Sequence, residues 1–209
     1  MEGSNRNQSD AQLRRRREEL NALYETTVAI SQQEDLRELL VTIVRRAVSL
    51  LKAAMGGIYL VRPDGQSLEL VTAYNLPGNL LGTVLQFGEG LSGKVAQRGH
   101  TMYVEDYASW EGRAAVYEGI PFRQVVGVPL TVEGKVIGVI NVTNTEVGRP
   151  FDPREVRLVE LFAGQAALAI RRAQLAAESR RREQQLARLY DLAVAITGAP
   201  DRETLLQRL

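Results

Sequence analysis

The sequence predicts a small α/β domain, built on a largely antiparallel sheet and carried between long helices. Three observations lead there. Apolar residues fall at helical spacing towards both ends of the chain and switch to short alternating runs in the middle. Those middle runs are separated by turns more than by long helices, which favours an antiparallel over a doubly wound parallel sheet. A leucine pattern with a seven-residue period continues well past the last strand, where no sheet remains to cover it.

Residues 1–10 (MEGSNRNQSD) read as a disordered leader. From Ala11 to about Lys52 there is no glycine or proline, so 11–34 reads as a linker helix. Leu13, Leu20 and Thr27 fall seven apart, with Leu23 and Ile30 three further on from the last two. Such a seam suits pairing with a second helix. Gln32, Gln33 and Glu34 form a polar break, and a second helix begins near Asp35. Its Leu36, Leu39, Leu40, Ile43, Val44 and Ala47 make one broad stripe that belongs against a sheet.

The domain itself spans 35–173. Gly57 to Arg62, the turn Pro63-Asp64-Gly65, and Leu68 to Tyr74 read as strand, turn and strand. Thr83 to Phe87 is a third strand, Leu91 to Gln97 a short helix stopped by Gly99, and Thr101 to Val104 a brief extended piece. Val125 to Val132 and Val136 to Thr143 are two more strands around Glu133-Gly134-Lys135. The irregular stretch from Glu105 to Phe122, with Tyr107, Trp110 and Tyr117, is a candidate lid over one sheet face. Asp106 is placed to cap the turn that follows it.

Asp152, Pro153 and Glu155 carry the signature of a helix start, and 153–197 is interrupted only by Gly164. Leu158, Leu161, Gln165, Leu168, Arg172, Leu175, Ser179, Arg182, Leu186 and Leu189 alternate three and four apart. Leu158 to Ile170 suits packing on the domain. Beyond it, 174–197 reads as a signalling helix that pairs with a second copy, its polar seam positions fixing register. The predicted interface comprises Leu13, Leu20, Leu23, Ile30, Leu161, Leu168, Leu175, Leu186 and Leu189 in a parallel homodimer.

Arg14 to Leu40 also aligns with Arg180 to Leu206, matching Leu23-Tyr24 with Leu189-Tyr190 and Val28-Ala29-Ile30 with Val194-Ala195-Ile196. Residues 198–209 then read as the start of a second, truncated repeat, in a tandem array whose output domain lies elsewhere.

Several function classes are excluded by composition. The 209 residues hold no cysteine, which removes disulfides, thiolate catalysis and thioether attachment of a chromophore. A lone histidine, His100, removes a multi-histidine metal site. Net charge is +1, so the chain as a whole has no bias towards nucleic acid. The basic runs Arg14 to Arg17 and Arg180 to Arg182 have Glu18, Glu19, Glu178 and Glu183 within helical reach, as on a solvated ion-paired face. No apolar run reaches the roughly 18–20 residues of a membrane span, and a cytoplasmic setting is expected. No GxSxG or HExxH pattern occurs, and an enzyme is not expected.

The stretches GIYLVRPDGQSLEL, GEGLSGKVAQRGHTMYVEDY, VVGVPLTVEGKVIGVINVTN and RPFDPREVRLVELFAGQAALAI, in that order, resemble a GAF domain. The resemblance implies a six-stranded antiparallel sheet with terminal helices on one face and a lidded small-molecule pocket on the other. It also implies a place in a signalling protein such as a bacterial sensor histidine kinase of a two-component system. Bilin-binding members attach their chromophore through cysteine, which this chain lacks, and haem needs an axial histidine, whereas His100 sits in a turn. Members that bind cyclic nucleotides carry an Asn-Lys pair, but Asn141 is followed by Val142, which argues against that ligand. The methionine sulfoxide reductases of this fold use cysteine. The expected ligand contacts are Tyr74, Phe87, Tyr107, Trp110, Tyr117 and Gln124, unless these fill the lid's own small core. A ligand-free dimerisation spacer is the competing expectation.

Overall fold

Helix α1 (Leu36–Leu50) buries Leu39, Leu40, Ile43, Val44 and Ala47, the stripe expected from their spacing. The computed structural model describes residues 36–146 and 149–197. The leader, the linker helix with Leu13, Leu20, Leu23 and Ile30, and the repeat from 198 lie outside the described residues. α1 ends in a Schellman motif: Lys52 donates to the Ser49 carbonyl at 3.2 Å and Ala53 to that of Val48 at 2.9 Å. Lys52 adopts φ 50°, a left-handed conformation that glycine usually supplies, so the helix stops before the lysine.

Strands β1 (Met55–Val61) and β2 (Ser67–Tyr74) form a hairpin whose turn is held by Asp64. Its carboxylate accepts from the amides of Gln66 at 2.8 Å and Ser67 at 2.9 Å. β3 (Val84–Gln86) is a short edge, followed by α2 (Gly90–Arg98) and then β4 (Met102–Val104). Gly99, at φ 71°, ends α2, and its amide donates to the Val95 carbonyl at 2.8 Å. One three-residue 3₁₀ turn, Ala115–Tyr117, interrupts the irregular stretch from 105 to 122. β5 (Val125–Val132) and β6 (Lys135–Thr143) join through Glu133 and Gly134, both at positive φ, as a two-residue hairpin turn requires.

The sheet is six-stranded and antiparallel, in the order β3-β2-β1-β6-β5-β4. Its two faces are covered differently. Gly56 faces α1, where an added Cβ would lie 2.9 Å from Val48. Ile58 and Ile140 sit opposite one another at the sheet centre, fully buried. The other face carries Tyr59, Leu70, Val125 and Val139 into a cluster shared with Leu91 and Val95 of α2.

Helix α3 (Pro153–Thr197) starts in a capping box, as its sequence signature predicts. The Asp152 carboxylate accepts from Arg154 at 2.7 Å and Glu155 at 2.8 Å, and Glu155 accepts from the Asp152 amide at 2.9 Å. Arg149 pairs with Glu155 at 3.0 Å and donates to the carbonyls of Leu51 and Lys52 at 2.7 and 2.8 Å. One guanidinium therefore ties the α3 cap to the end of α1 and satisfies carbonyls left over there. Up to Ala169 the helix buries Val159, Phe162, Ala163, Ala166 and Ala167. From Ile170 onward the chain forms a separate unit, the remainder of α3, with an Arg182–Glu178 pair at 2.6 Å on its surface.

Phe162, fully buried, is expected to lose about 3–5 kcal/mol of stability on truncation to alanine. Gly93→Ala places a Cβ against the Gln86 carbonyl, backbone that cannot swing aside, and is expected to cost about 1–3 kcal/mol. Urea denaturation followed by circular dichroism checks both.

Candidate functional site

Strand alternation decides which side chains reach the pocket. On β1, Gly57 and Tyr59 face away from α1, and across the pairing register they meet Asn141 and Val139 of β6. α2 roofs this face with Leu91, Ser92 and Val95, and the stretch from 105 to 122 closes it with Tyr107, Tyr117 and Phe122. The cavity measures about 30 Å³. That is room for one or two waters, not for a ring-sized molecule.

Two side-chain hydrogen bonds lie in the floor. Asn141 donates through Nδ2 to the Ser92 hydroxyl at 2.6 Å. In the same lining, the Tyr59 phenol meets the Tyr117 phenol. The other side-chain atom of Asn141, Oδ1, is buried without a partner among the described residues. Gly127 keeps the space beside it open, since a Cβ there would sit 2.9 Å from that oxygen.

The lid is an aromatic cluster. Tyr117 packs on Phe122 at 5.5 Å between ring centroids, Phe122 on Tyr107 at 5.7 Å, and Tyr107 on Trp110 at 5.6 Å. The Tyr107 hydroxyl accepts from the Ala114 amide at 3.2 Å, so the lid is pinned to itself. Asp106 caps the first lid turn, accepting from the Ala108 amide at 3.2 Å and the Ser109 hydroxyl at 2.9 Å, the structural role its position predicts. These bonds, led by Ser109, hold its carboxyl below the usual range. Burial acts the other way on the phenols. It pushes Tyr107 up, Tyr117 up to about 12, and Tyr59 well above the ordinary value. All three are neutral at physiological pH, and among the described residues no charged side chain lines the cavity.

Of the six residues expected at the ligand, Tyr107 and Tyr117 line the cavity. Trp110 and Phe87 are half-buried against the same apolar cluster, Trp110 on its outer side with the Lys94 ammonium 5.8 Å from its ring. Tyr74 is half-buried at the end of β2, away from the lining. Gln124 is spent elsewhere: with its carboxamide oriented to match its neighbours, the nitrogen reaches the carbonyls of Arg149 at 3.0 Å and Glu146 at 3.1 Å, in the loop after β6. Tyr59, Ser92, Asn141 and Phe122 were not among the expected contacts. Alternation from Ile58 was the available signal for Tyr59. His100 is exposed just past Gly99, as its place in a turn suggests. Among the described residues no cluster of three or more His, Cys, Asp or Glu side chains could hold a metal, and no helix is long and apolar enough to cross a membrane.

A six-stranded antiparallel sheet with helices on one face and a lidded pocket on the other defines a class. The GAF domain family model matches residues 33–171, and the chain belongs to that family. GAF domains are sensory and regulatory modules found in signalling proteins. Among solved structures, the GAF domain of an Acinetobacter phosphoenolpyruvate-protein phosphotransferase is similar at 25% identity, covering 75% of this chain and 94% of that one, with a TM-score of 0.67. Residues 122 to 287 of a methyl-accepting chemotaxis protein are 24% identical over 72% of this chain and 98% of that one, at 0.64. The free methionine-R-sulfoxide reductase of Neisseria meningitidis, in complex with its substrate, shares the fold at 18% identity, 76% and 91% coverage, and 0.65.

The raised phenols give a stability signature. A tyrosine protonated in the folded state beyond its unfolded value of 10.0 stabilises the fold below that pH, and the contribution disappears as pH climbs towards about 12. Urea midpoints are therefore expected to fall above about pH 10, with a shallower fall in Tyr117→Phe. Identical slopes in the two proteins would contradict the assignment.

Proposed function

We propose that this chain is a cytoplasmic, non-catalytic sensory relay module. It pairs with a second copy through α3 and couples occupancy of the lidded pocket to an output domain in the same signalling protein. The observation that carries this reading is a row of exposed leucines on α3. Leu161, Leu168, Leu175, Leu186 and Leu189 are between 42% and 66% exposed, on a helix whose neighbouring apolar residues before Ala169 are buried. Fully burying a leucine is worth about 1.5–3 kcal/mol. With about half of each already covered, ten leucines in a pair offer roughly 8–15 kcal/mol, close to the association cost of roughly 4–15 kcal/mol. Pairing near balance responds to small changes elsewhere, which suits a relay.

Absence of cysteine, a single exposed histidine and an uncharged cavity support a non-catalytic role. The small cavity favours a second reading, a ligand-free spacer that pairs and transmits without sensing. The two readings share the helix seam and differ at the pocket.

Replacing Leu175 and Leu186 by aspartate is expected to give monomers in sedimentation velocity, with an unaltered domain by circular dichroism. A dimer of unchanged affinity would overturn the interface.

A further inference from the structure

We propose that the pocket recognises a neutral hydroxylated aromatic molecule, and that Tyr117 of the lid stands in for that molecule when the pocket is shut. The inference rests on the sensory reading above and names the chemistry of its ligand.

Four observations converge. The lining carries hydroxyls, one carboxamide and apolar groups but no charge, so a carboxylate or phosphate entering here would lose its hydration with no cation to meet it. Asn141 Oδ1 is a buried acceptor without a donor, a costly arrangement that an incoming O–H relieves. The phenol of Tyr117 already occupies this chemistry: its ring packs on Phe122 and its hydroxyl meets Tyr59. Finally, the cavity of about 30 Å³ is too small for any ring while Tyr117 is in place.

A ligand therefore enters by exchange. Tyr117 sits on a three-residue turn whose neighbours Ala115, Val116, Glu118 and Gly119 are exposed, so withdrawing it breaks no strand pairing. The incoming ring replaces the Tyr117 ring against Phe122, and its hydroxyl replaces one phenol contact while adding the donor that Asn141 lacks. Tyr117 is tethered and competes at high effective concentration, which weakens the ligand's apparent affinity in proportion to the shut fraction. The same competition makes the lid the reporter of occupancy. Trp110, the only tryptophan in the sequence, lies against Tyr107 in that lid and gives a built-in signal.

The test uses the full chain with three probes of similar size: phenol, toluene and benzoate. Binding is read from Trp110 emission, excited beyond tyrosine absorption, and from the melting temperature. Phenol is expected to give a saturable change. Toluene, lacking the donor, is expected to bind about ten-fold more weakly, and benzoate more weakly again. Asn141→Leu is expected to abolish the preference for phenol over toluene. Tyr117→Phe, which keeps the ring but loses its hold on Tyr59, is expected to bind phenol several-fold more tightly. Because the readout for Asn141→Leu is a ratio of two probes, a general loss of stability does not imitate it, and Tyr117→Phe provides an independent variant. Toluene binding as tightly as phenol, or no saturable phenol response in either the parent chain or Tyr117→Phe, overturns the proposal. Benzoate binding more tightly than phenol also overturns it, yet leaves the pocket as a sensory site. Silence towards all three probes from a chain that still pairs overturns it in favour of the spacer.

Discussion

The antiparallel pairing of β1 with β6 is the constraint on which the rest of the structure depends. Its register sets Gly57 opposite Asn141, Ile58 opposite Ile140 and Tyr59 opposite Val139. Because successive residues on a strand point to opposite faces, this one register sends both isoleucines to the helix-covered side and Tyr59 with Asn141 to the pocket. A slip of one residue in β1 would turn that strand over, burying the Tyr59 phenol under α1 and sending Ile58 to the lid side. Glycines reinforce the choice. Gly56 leaves room for Val44 and Val48 of α1, and Gly138 lets β6 approach the Tyr59 carbonyl where any side chain would collide.

From that register the path to α3 is short and consists of ordinary contacts. β4 leads directly into the lid at Glu105. Its Tyr103 rests edge-on against Phe151, next to the α3 cap, with centroids 6.2 Å apart. Thr101, just before β4, donates to Glu160 of α3 at 2.9 Å. Just past the other end of the lid, Arg123 pairs back to Asp106 at 3.3 Å and leads into Gln124 and the loop that carries Arg149. Lid position and the first turns of α3 are thus connected on both sides of the lid, through contacts that lie within the sheet-bearing unit.

Much of this was legible from residue order. Period-two runs separated by Pro63-Asp64-Gly65 and Glu133-Gly134 located four strands, and the Asp152–Glu155 spacing located the start of α3. Those signals are local, so one sequence window contains them. What failed was long-range. Gln124 looked like a pocket residue because it is polar and precedes β5, but its partners Glu146 and Arg149 are brought to it only by the fold. Ser92 and Asn141 lie far apart in the chain and meet only because α2 lies across the sheet. The helix end at Leu50 was also hidden, because a lysine takes the left-handed position where glycine would have been the visible signal.

The central claim is that α3 pairs along its leucine row, and single-cysteine crosslinking tests it most directly, since the chain has no cysteine of its own. Leu175→Cys and Leu186→Cys, each alone, should oxidise readily to a covalent dimer at low protein concentration, while Ala177→Cys should not. Equal crosslinking at all three positions, or none at Leu175 and Leu186, would contradict the pairing and leave the exposed leucines without the role assigned to them.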